Sequence, residues 1–321
     1  MSSKLITYFI FIVVFVSKGE ISGETATCDY TDWNEQYFKG LMCKLDFDAI
    51  DSVTEIAGDH LPGKNDDDVK MISIIEKKLK MLTPIFCEKF KNLERFMFRG
   101  SPNSLIHHES FKNCKNLEEI SLSTNNLKEI PEDLFIENTE LDTINFRENN
   151  LTTVPENVFG NLKKLYMLDL SYNQITSLPR GIFRSLEKLN VLFLGNNKLT
   201  TIYTEWTENL PKLVNIGLYS NEITDIPKNF FANKPDIPAL WLTENKLTVL
   251  HSDSFGNNEK LREIFLWDNK INAIDKKLID NTKIRSLMMK GNVCSNKNIS
   301  GRDELKPGLQ QCFNNYQPRQ E

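Results

Sequence analysis

Few side chains in this sequence could support catalysis, and their spacing does not favour it. Only four histidines occur among 321 residues, without a His-x-x-x-His pair, a Cys-x-x-Cys pair or a Gly-x-Ser-x-Gly turn. His107 and His108 are adjacent, but a zinc site would need further ligands beside them. His251 is expected on an outer surface. We therefore predict no metal site, no cofactor and no enzymatic activity.

Charged residues exclude one class of partner. The run Asp66-Asp67-Asp68 lacks the spaced oxygen ligands of a calcium loop, so a solvated acidic loop is the favoured interpretation. The formal net charge is −5, and Lys and Arg are scattered among Asp and Glu. A nucleic-acid partner would require a clustered basic face. We therefore expect no binding to nucleic acid.

The N-terminal segment and the cysteines indicate the cellular compartment. Lys4 precedes an apolar run over residues 5–16, and small residues follow up to Gly23. This pattern is typical of a secretory signal peptide, predicted over residues 1–23, and the run is shorter than the roughly 20 residues of a membrane span. An even count of six cysteines favours disulfides in a secreted chain. The sequence predicts a secreted, extracellular protein without a membrane span.

An internal repeat determines where all these residues lie. The pattern Leu-x-x-Leu-x-Leu-x-x-Asn-x-Leu recurs every 24 residues, and its last copy follows after 23. Degraded copies begin at Val69 and Leu93, which makes ten coils, eight of them with the asparagine. The regular copies begin at Leu117, Leu141, Leu165, Leu189, Leu213, Ile237, Leu261 and Ile284.

These copies resemble the extracellular leucine-rich-repeat family over roughly residues 28–312. The resemblance implies an α/β solenoid, a leucine-rich-repeat horseshoe with a parallel sheet on the concave face, an irregular convex face and disulfide-bonded caps. We divide the chain into an N-terminal cap (24–68), a solenoid of about ten coils (69–292) and a C-terminal cap with a tail (293–321). A narrower resemblance to secreted arthropod members rests on Cys28-x-Tyr30, Cys43, Gly58-x-His60-x-x-Gly63 and the acidic run before Val69.

Two columns of identical residues are expected inside the solenoid. The asparagines should satisfy backbone groups where the chain leaves each strand. Phenylalanines 18 residues after the repeat starts should form a column of stacked rings on the convex side. The asparagine ladder is Asn125, Asn149, Asn173, Asn197, Asn221, Asn245, Asn269 and Asn292, and the phenylalanine column is Phe111, Phe135, Phe159, Phe183, Phe231 and Phe255.

The cysteines are assigned by their position in the coils. A solenoid needs a cap at each end, and the first and last pairs are interpreted as bridges within these caps. The middle pair is separated by one coil plus three residues. It is either two buried free thiols or a bridge between neighbouring coils, and an oxidising compartment favours the bridge. The pairs are Cys28 with Cys43, Cys87 with Cys114, and Cys294 with Cys312.

The outward positions of the strands predict a binding surface. The fifth and seventh positions of successive coils are polar in the first half of the concave face and aromatic in the second. Because adjacent strands lie about 4.7–4.9 Å apart, the rings should form one patch, unless they only pack on one another. Acidic residues upstream could steer a basic partner. The predicted partner-binding residues are Phe193, Tyr219, Trp241, Phe265, Trp267, Glu119 and Asp169.

The function predicted from these features is the binding of an unidentified extracellular protein. Resemblance to leucine-rich-repeat ectodomains implies immune recognition, adhesion or signalling, and the fold does not choose among them. The alternative is a structural matrix component or a glycan binder. Two sequons, at Asn150 and Asn298, are candidate glycosylation sites in a secreted chain, with the second expected on the C-terminal cap.

Overall fold

The computed structural model describes residues 25–35, 38–47, 49–102, 104–232, 234, 236–256 and 258–319. The predicted signal peptide therefore lies outside the described residues. In chain order the elements are β1 (Thr25–Glu35), β2 (Phe38–Asp46), β3 (Ala49–Ser52), β4 (Glu55–Ala57), β5 (Val69–Ile75), β6 (Lys78–Leu82), α1 (Ile85–Lys89), β7 (Arg95–Arg99), β8 (Leu105–Ile106), β9 (Glu119–Ser121), β10 (Thr143–Asn145), β11 (Met167–Asp169), β12 (Val191–Phe193), α2 (Glu205–Glu208), β13 (Asn215–Gly217), β14 (Ala239–Trp241), β15 (Val249–Leu250), β16 (Glu263–Phe265), β17 (Ala273–Ile274), α3 (Lys276–Asn281), β18 (Ser286–Met288), β19 (Asn298–Ser300), α4 (Arg302–Gly308) and α5 (Gln310–Asn314), with short 3-10 turns at Asp66–Asp68 and Ser252–Ser254.

One 14-stranded sheet runs the length of the solenoid, in the order β19-β18-β16-β14-β13-β12-β11-β10-β9-β7-β5-β2-β1-β4. Its ten strands from β5 to β18 are parallel, one from each coil, and Ile120 pairs with Ile144, which pairs with Leu168. The paired residues are 24 residues apart, which is the length of the sequence repeat. The return segments carry two small sheets, β3-β6-β8 and β15-β17, and short helices. The predicted leucine-rich-repeat solenoid, with a parallel sheet on one side and an irregular other side, is confirmed.

The asparagine ladder holds neighbouring coils together through backbone groups. In a middle coil, Asn197 Oδ1 accepts from Ile175 N at 3.0 Å, and Asn197 Nδ2 donates to Leu170 O at 3.0 Å and Leu194 O at 3.1 Å. All eight ladder residues are buried. A buried backbone group without a partner costs about 1–3 kcal/mol, and the amide removes that cost at each turn. The predicted role of the asparagines is confirmed.

The phenylalanine column is buried as predicted, but it is not one unbroken stack. Phe231 and Phe255 are stacked with ring centroids 5.7 Å apart. The position 24 residues after Phe183 holds Thr207 instead, and the neighbouring Trp206 ring meets Phe183 edge-on at 5.9 Å. Thr207 Oγ1 donates to Phe230 O at 2.5 Å. The predicted column has no member in this coil, and a buried indole one position earlier fills the volume there.

Three disulfides close the ends of the solenoid and join two early coils. The Cα–Cα distances are 5.2 Å for Cys28–Cys43, 4.9 Å for Cys87–Cys114 and 5.1 Å for Cys294–Cys312, within the usual 4.4–6.8 Å. These are the pairs favoured by the sequence, and the middle pair links neighbouring coils. At the ends, β1 and β2 form an antiparallel hairpin beside β5, while β19 pairs antiparallel with β18.

The segment after α5, residues 315–319, runs back over three coils. Asn315 Nδ2 donates to Asn272 O at 3.0 Å, and Tyr316 OH lies 3.2 Å from His251 Nδ1. The Arg319 guanidinium reaches Asp225 at 3.3 Å. This tail therefore contacts coils far from it in sequence. Among the described residues, no helix is long and apolar enough to cross a membrane.

Candidate binding face on the concave sheet

Strand register sets two outward columns of side chains on the main sheet. In β16, Ile264 is buried, whereas Glu263 and Phe265 on either side of it are partly exposed. The same alternation places the fifth and seventh positions of each coil outward. The fifth-position column is paired residue by residue as Ser121, Asn145, Asp169, Phe193, Gly217, Trp241, Phe265 and Met288.

Five rings on this face form what we call the aromatic cluster: Phe193, Tyr219, Trp241, Phe265 and Trp267. The Trp241 and Phe265 rings are parallel to within 1°, with centroids 5.9 Å apart. The Trp267 ring meets Phe265 at 5.7 Å with an interplanar angle of 67°. Trp241 is 36% exposed and Trp267 is 38% exposed. Contact among these three rings therefore leaves both indoles open to solvent.

The other two members of the aromatic cluster lie over glycines. A Cβ added to Gly195 would come within 2.5 Å of the Tyr219 ring, and one added to Gly217 would lie 3.1 Å from Phe193 Cδ1. Both rings are half-buried, and burial raises the pKa of Tyr219. The missing side chains at the two glycines thus create the space into which these rings settle. As a result, they are less exposed than the two indoles.

Arg147 organises the polar half of the face, although the sequence did not single it out. Its guanidinium carbon lies 3.9 Å from the Tyr172 ring centroid. Arg147 Nη1 donates to Ser171 Oγ at 3.1 Å, and Arg147 Nε pairs with Glu148 at 3.0 Å. Tyr172 is 40% exposed. Arg147 and Tyr172 are 25 residues apart, one more than the 24-residue repeat. This spacing places them side by side on neighbouring coils, and it was the signal in the sequence for their contact.

The two acids predicted to face a partner are used within the protein. Asp169 is 6% exposed, and its Oδ1 accepts from Ser171 N at 2.8 Å. Burial raises the pKa of Asp169 despite this bond and the nearby Arg147 charge. Glu119 forms an ion pair with Arg95, and burial raises its pKa too. The expectation that these carboxylates lie open to a partner does not match their placement, because Asp169 is buried against Ser171 two residues further on and Glu119 is paired across strands with Arg95.

A smaller acidic group remains at the rim. The pKa of Glu118 is raised by partial desolvation of its carboxyl group and then by the charges of Glu94 and Asp142. The three residues are neighbours on successive coils, because Glu118 N donates to Glu94 O and Asp142 N donates to Glu118 O, both at 2.8 Å. Glu94 is paired with Lys70 at 2.7 Å, so the negative charge beside the N-terminal coils comes from Glu118 and Asp142.

The histidines and the acidic run lie away from this face. His107, His108 and Glu109 hold ligand atoms within 4.8 Å of one another, so the structure supplies a neighbour that the histidine pair alone lacked. Lys112 pairs with Glu109, however, and Glu109 N donates to His107 Nδ1 at 3.2 Å. A cation at this position would have to replace both contacts.

The acidic run forms a capped 3-10 turn rather than an open loop. Asp66 lies 2.9 Å from His60 Nε2 and 3.3 Å from Lys89 Nζ, while Asp68 lies 3.6 Å from Lys64 Nζ. Asp66 and Asp68 thus face basic side chains of the chain. His251, expected on an outer surface, is half-buried under Tyr316, and burial lowers its pKa.

Both sequon asparagines are exposed, in different surroundings. Asn150 follows the ladder residue Asn149, and its backbone N donates to Leu127 O at 2.8 Å. Asn298 begins β19 at the edge of the main sheet, and its Oδ1 accepts from Trp267 Nε1 at 2.8 Å. The second sequon therefore touches the aromatic cluster, which the sequence did not indicate.

Solved structures share this fold at low sequence identity. The chain is similar to the Toll–Spatzle complex of Drosophila, with a TM-score of 0.60 and 20% identity over 75% of this chain. It covers 36% of that chain, so it spans about a third of its length. The APL1 leucine-rich repeat domain gives a TM-score of 0.55 and 16% identity, with coverage of 84% of this chain and 77% of the other. A leucine-rich-repeat protein of Leptospira interrogans gives 0.51 and 20%, with coverage of 81% and 83%.

Sequence comparison gives the family. No curated protein sequence matches the chain. A family profile described as "Leucine rich repeat" matches in four overlapping segments, residues 115–175, 163–223, 211–271 and 235–293. Together these segments span more than half of the chain, and they coincide with the strands β9 to β18. The chain belongs to the leucine-rich-repeat family.

Proposed function

We propose that this protein is a secreted binding module that holds an extracellular protein partner on the aromatic cluster of its concave face. In this proposal the solenoid, residues 69–292, carries the partner. The caps, residues 24–68 and 293–321, cover the ends that no further coil covers. The role is recognition, in immune defence, adhesion or signalling, and not catalysis.

The observation that carries the proposal is the exposure of two tryptophans in mutual contact with one phenylalanine. Trp241 and Trp267 are 36% and 38% exposed while they pack on Phe265. A large ring buries about 150–250 Å² when fully covered, so about a third of such an area remains open on each indole, and contiguous exposed apolar area can mark an interaction site. Tryptophan is also enriched among residues that dominate binding energy. A partner that covers the cluster would remove this area from water.

Two further observations support an extracellular role. The three disulfides are stable in oxidising compartments, in agreement with the predicted signal peptide. The Toll structure is a complex with Spatzle, described as a hub in development and innate immunity. A related solenoid therefore binds a protein, and we extend that class of role to this chain.

The test compares one residue of the cluster with an equally exposed ring elsewhere. The full chain, Trp241→Ala and Tyr166→Ala are each cross-linked in body fluid of the secreting organism, and the captured partner is then titrated against each. Tyr166 is 42% exposed but lies outside the cluster. We expect Trp241→Ala to lose at least about 2 kcal/mol of binding free energy and Tyr166→Ala to keep its affinity. Full binding by a folded Trp241→Ala would exclude this face, and capture of polysaccharide alone would favour the matrix or glycan-binding alternative.

A further inference from the structure

We infer that Asn298 carries an N-linked glycan that forms the C-terminal border of the aromatic cluster and covers the cap-side edge of Trp267. The inference rests on the proposed secretion and binding role, and it adds a modification site to the concave face itself. It assigns the sequon a function that its position on the C-terminal cap did not suggest.

Strand register places the sequon on the concave face. β19 pairs antiparallel with β18, with Met288 opposite Asn298 and Ser286 opposite Ser300. Opposed residues of an antiparallel pair project to the same side, and Met288 follows Phe265 in the fifth-position column. Asn298 is therefore the next member of that column. Ile299 between the two sequon residues is buried, and both sequon residues are exposed.

The amide group of Asn298 is oriented for a substituent. Its Oδ1 accepts from Trp267 Nε1 at 2.8 Å and from Lys290 N at 3.4 Å. Within the described part of the chain, its Nδ2 has no hydrogen-bond partner, and β19 has a neighbouring strand on one side only. A sugar on Nδ2 therefore displaces no protein contact. The oxygen of the same amide stays on the indole, which fixes the glycan beside Trp267.

The modification is a glycosyl transfer from a polyprenyl-diphosphate-linked oligosaccharide. Nδ2 forms a bond to the anomeric carbon while the bond from that carbon to the diphosphate oxygen breaks. Nδ2 gives up one proton, and the polyprenyl diphosphate leaves with the electron pair of the broken bond. Asn298-Ile299-Ser300 is the acceptor sequence that this transfer requires.

A glycan here sets the direction from which a partner can approach. Its attachment point lies on the last strand of the main sheet, past Met288. The bound sugars would occupy space beside Trp267, whereas Trp241, on β14 and three strands away from β19, stays open. The partner's footprint therefore ends at Trp267 and extends towards Tyr219 and the polar half.

The experiment uses the full chain secreted from eukaryotic cells, with two matched variants. Ser300→Ala removes the acceptor while it keeps Asn298 and its bond to Trp267. Thr152→Ala removes the other sequon, at Asn150, far from the cluster. Intact mass before and after enzymatic deglycosylation gives site occupancy, and hydroxyl-radical footprinting gives the solvent reactivity of Trp241 and Trp267.

We expect Ser300→Ala to lose one glycan and to gain reactivity at Trp267, with Trp241 unchanged. Thr152→Ala should leave the reactivity of both tryptophans as in the parent chain. An unmodified Asn298 in the secreted chain would overturn the inference, and so would equal Trp267 reactivity with and without the glycan. Partner binding that persists in either case would leave the proposed function standing. If Trp241→Ala instead bound the partner as tightly as the parent chain, the proposed function would be contradicted and the glycan result would be unaffected.

Discussion

The two halves of the concave face use their side chains in opposite ways. In the N-terminal half, Arg147 packs on Tyr172 and donates to Ser171, whose backbone N donates in turn to the buried Asp169. In the C-terminal half, Trp241 and Trp267 contact Phe265 and still remain more than one-third exposed. One half is occupied by its own contacts, whereas the other leaves apolar area unburied.

This difference indicates where binding energy is available. A partner that docks on the polar half must replace hydrogen bonds that already exist, and a buried group left without a partner costs about 1–3 kcal/mol. A partner on the aromatic half gains roughly 25 cal/mol for each Å² of apolar surface removed from water, and the Trp241 and Phe265 rings carry no polar group that must be repaired. We therefore expect affinity to come from the aromatic half and orientation from the polar half and the acidic rim.

The largest expected effect is on the stability of the solenoid that supports both halves of the face. Phe159 is fully buried in the phenylalanine column beneath the polar half. Phe159→Ala should lower the free energy of unfolding by roughly 3–5 kcal/mol, because it removes a ring and leaves a cavity. Denaturant titration measures the loss, and partner affinity of the folded fraction should stay unchanged. A change within about 0.5 kcal/mol, typical of surface substitutions, would contradict the buried column.

The next effect concerns the aromatic half alone. Trp267→Ala should weaken partner binding by at least about 2 kcal/mol, or roughly 30-fold in Kd, because a large apolar contact is lost. Its free energy of unfolding should barely change, since the side chain lies outside the coils. Calorimetric titration of the partner gives the affinity and Tm gives the stability. Normal affinity in this variant would remove the energetic difference between the halves.

A smaller effect is expected from the polar half. Arg147→Ala removes a cation–π contact that is worth about 0.5–1 kcal/mol at an exposed site and one hydrogen bond to Ser171. Partner affinity should fall far less than it does in Trp267→Ala. The stability of Arg147→Lys should lie between those of the parent chain and Arg147→Ala, because lysine keeps the charge. The same titration compares the three variants. A loss equal to that of the tryptophan variant would show that the polar half supplies as much binding energy as the aromatic half.

The smallest effect is a pH dependence from Asp169. Because burial raises its folded pKa, the folded protein binds more protons than the unfolded chain between the unfolded pKa, about 3.9, and the folded value. Stability contributed by this group therefore falls as pH rises through that window, and the penalty is complete above the folded pKa.

Asp169→Asn removes this titration and keeps an oxygen to accept from Ser171. The variant should have the higher Tm at neutral pH, and the gain should vanish below about pH 3.9. Thermal unfolding of both chains between acid and neutral pH measures it. A neutral-pH Tm below that of the parent chain would mean that the negative charge is stabilised by Arg147 more than burial disfavours it.

The repeat made most of the fold predictable. A 24-residue step places each strand beside the next, so the ladder position of Asn197 and the outward position of Trp241 follow from counting. The pairing of Cys87 with Cys114 was favoured by the same count, once the compartment was taken as oxidising. These inferences depend on backbone position and not on side-chain conformation.

The repeat did not predict features that depend on side-chain conformation or on the caps. Asp169 is buried with its side chain bonded to Ser171, a conformation that the repeat does not specify, and Trp206 fills a volume one position before the repeat would place a ring. Asn298 reaches the aromatic cluster because the chain reverses after the last coil, where no repeat sets the register. Residues outside the period therefore had no positional signal in the sequence.

The tail that crosses the last coils also bears on how this end of the molecule opens. In a repeat array each unit touches only its neighbours, so terminal units can fray one at a time. Contacts from residues 315–319 to Asn272, His251 and Asp225 join three successive units directly. We expect amide hydrogens in these units to exchange with solvent in a single cooperative opening, so that the C-terminal end of the array behaves as one foldon instead of a series of independent steps.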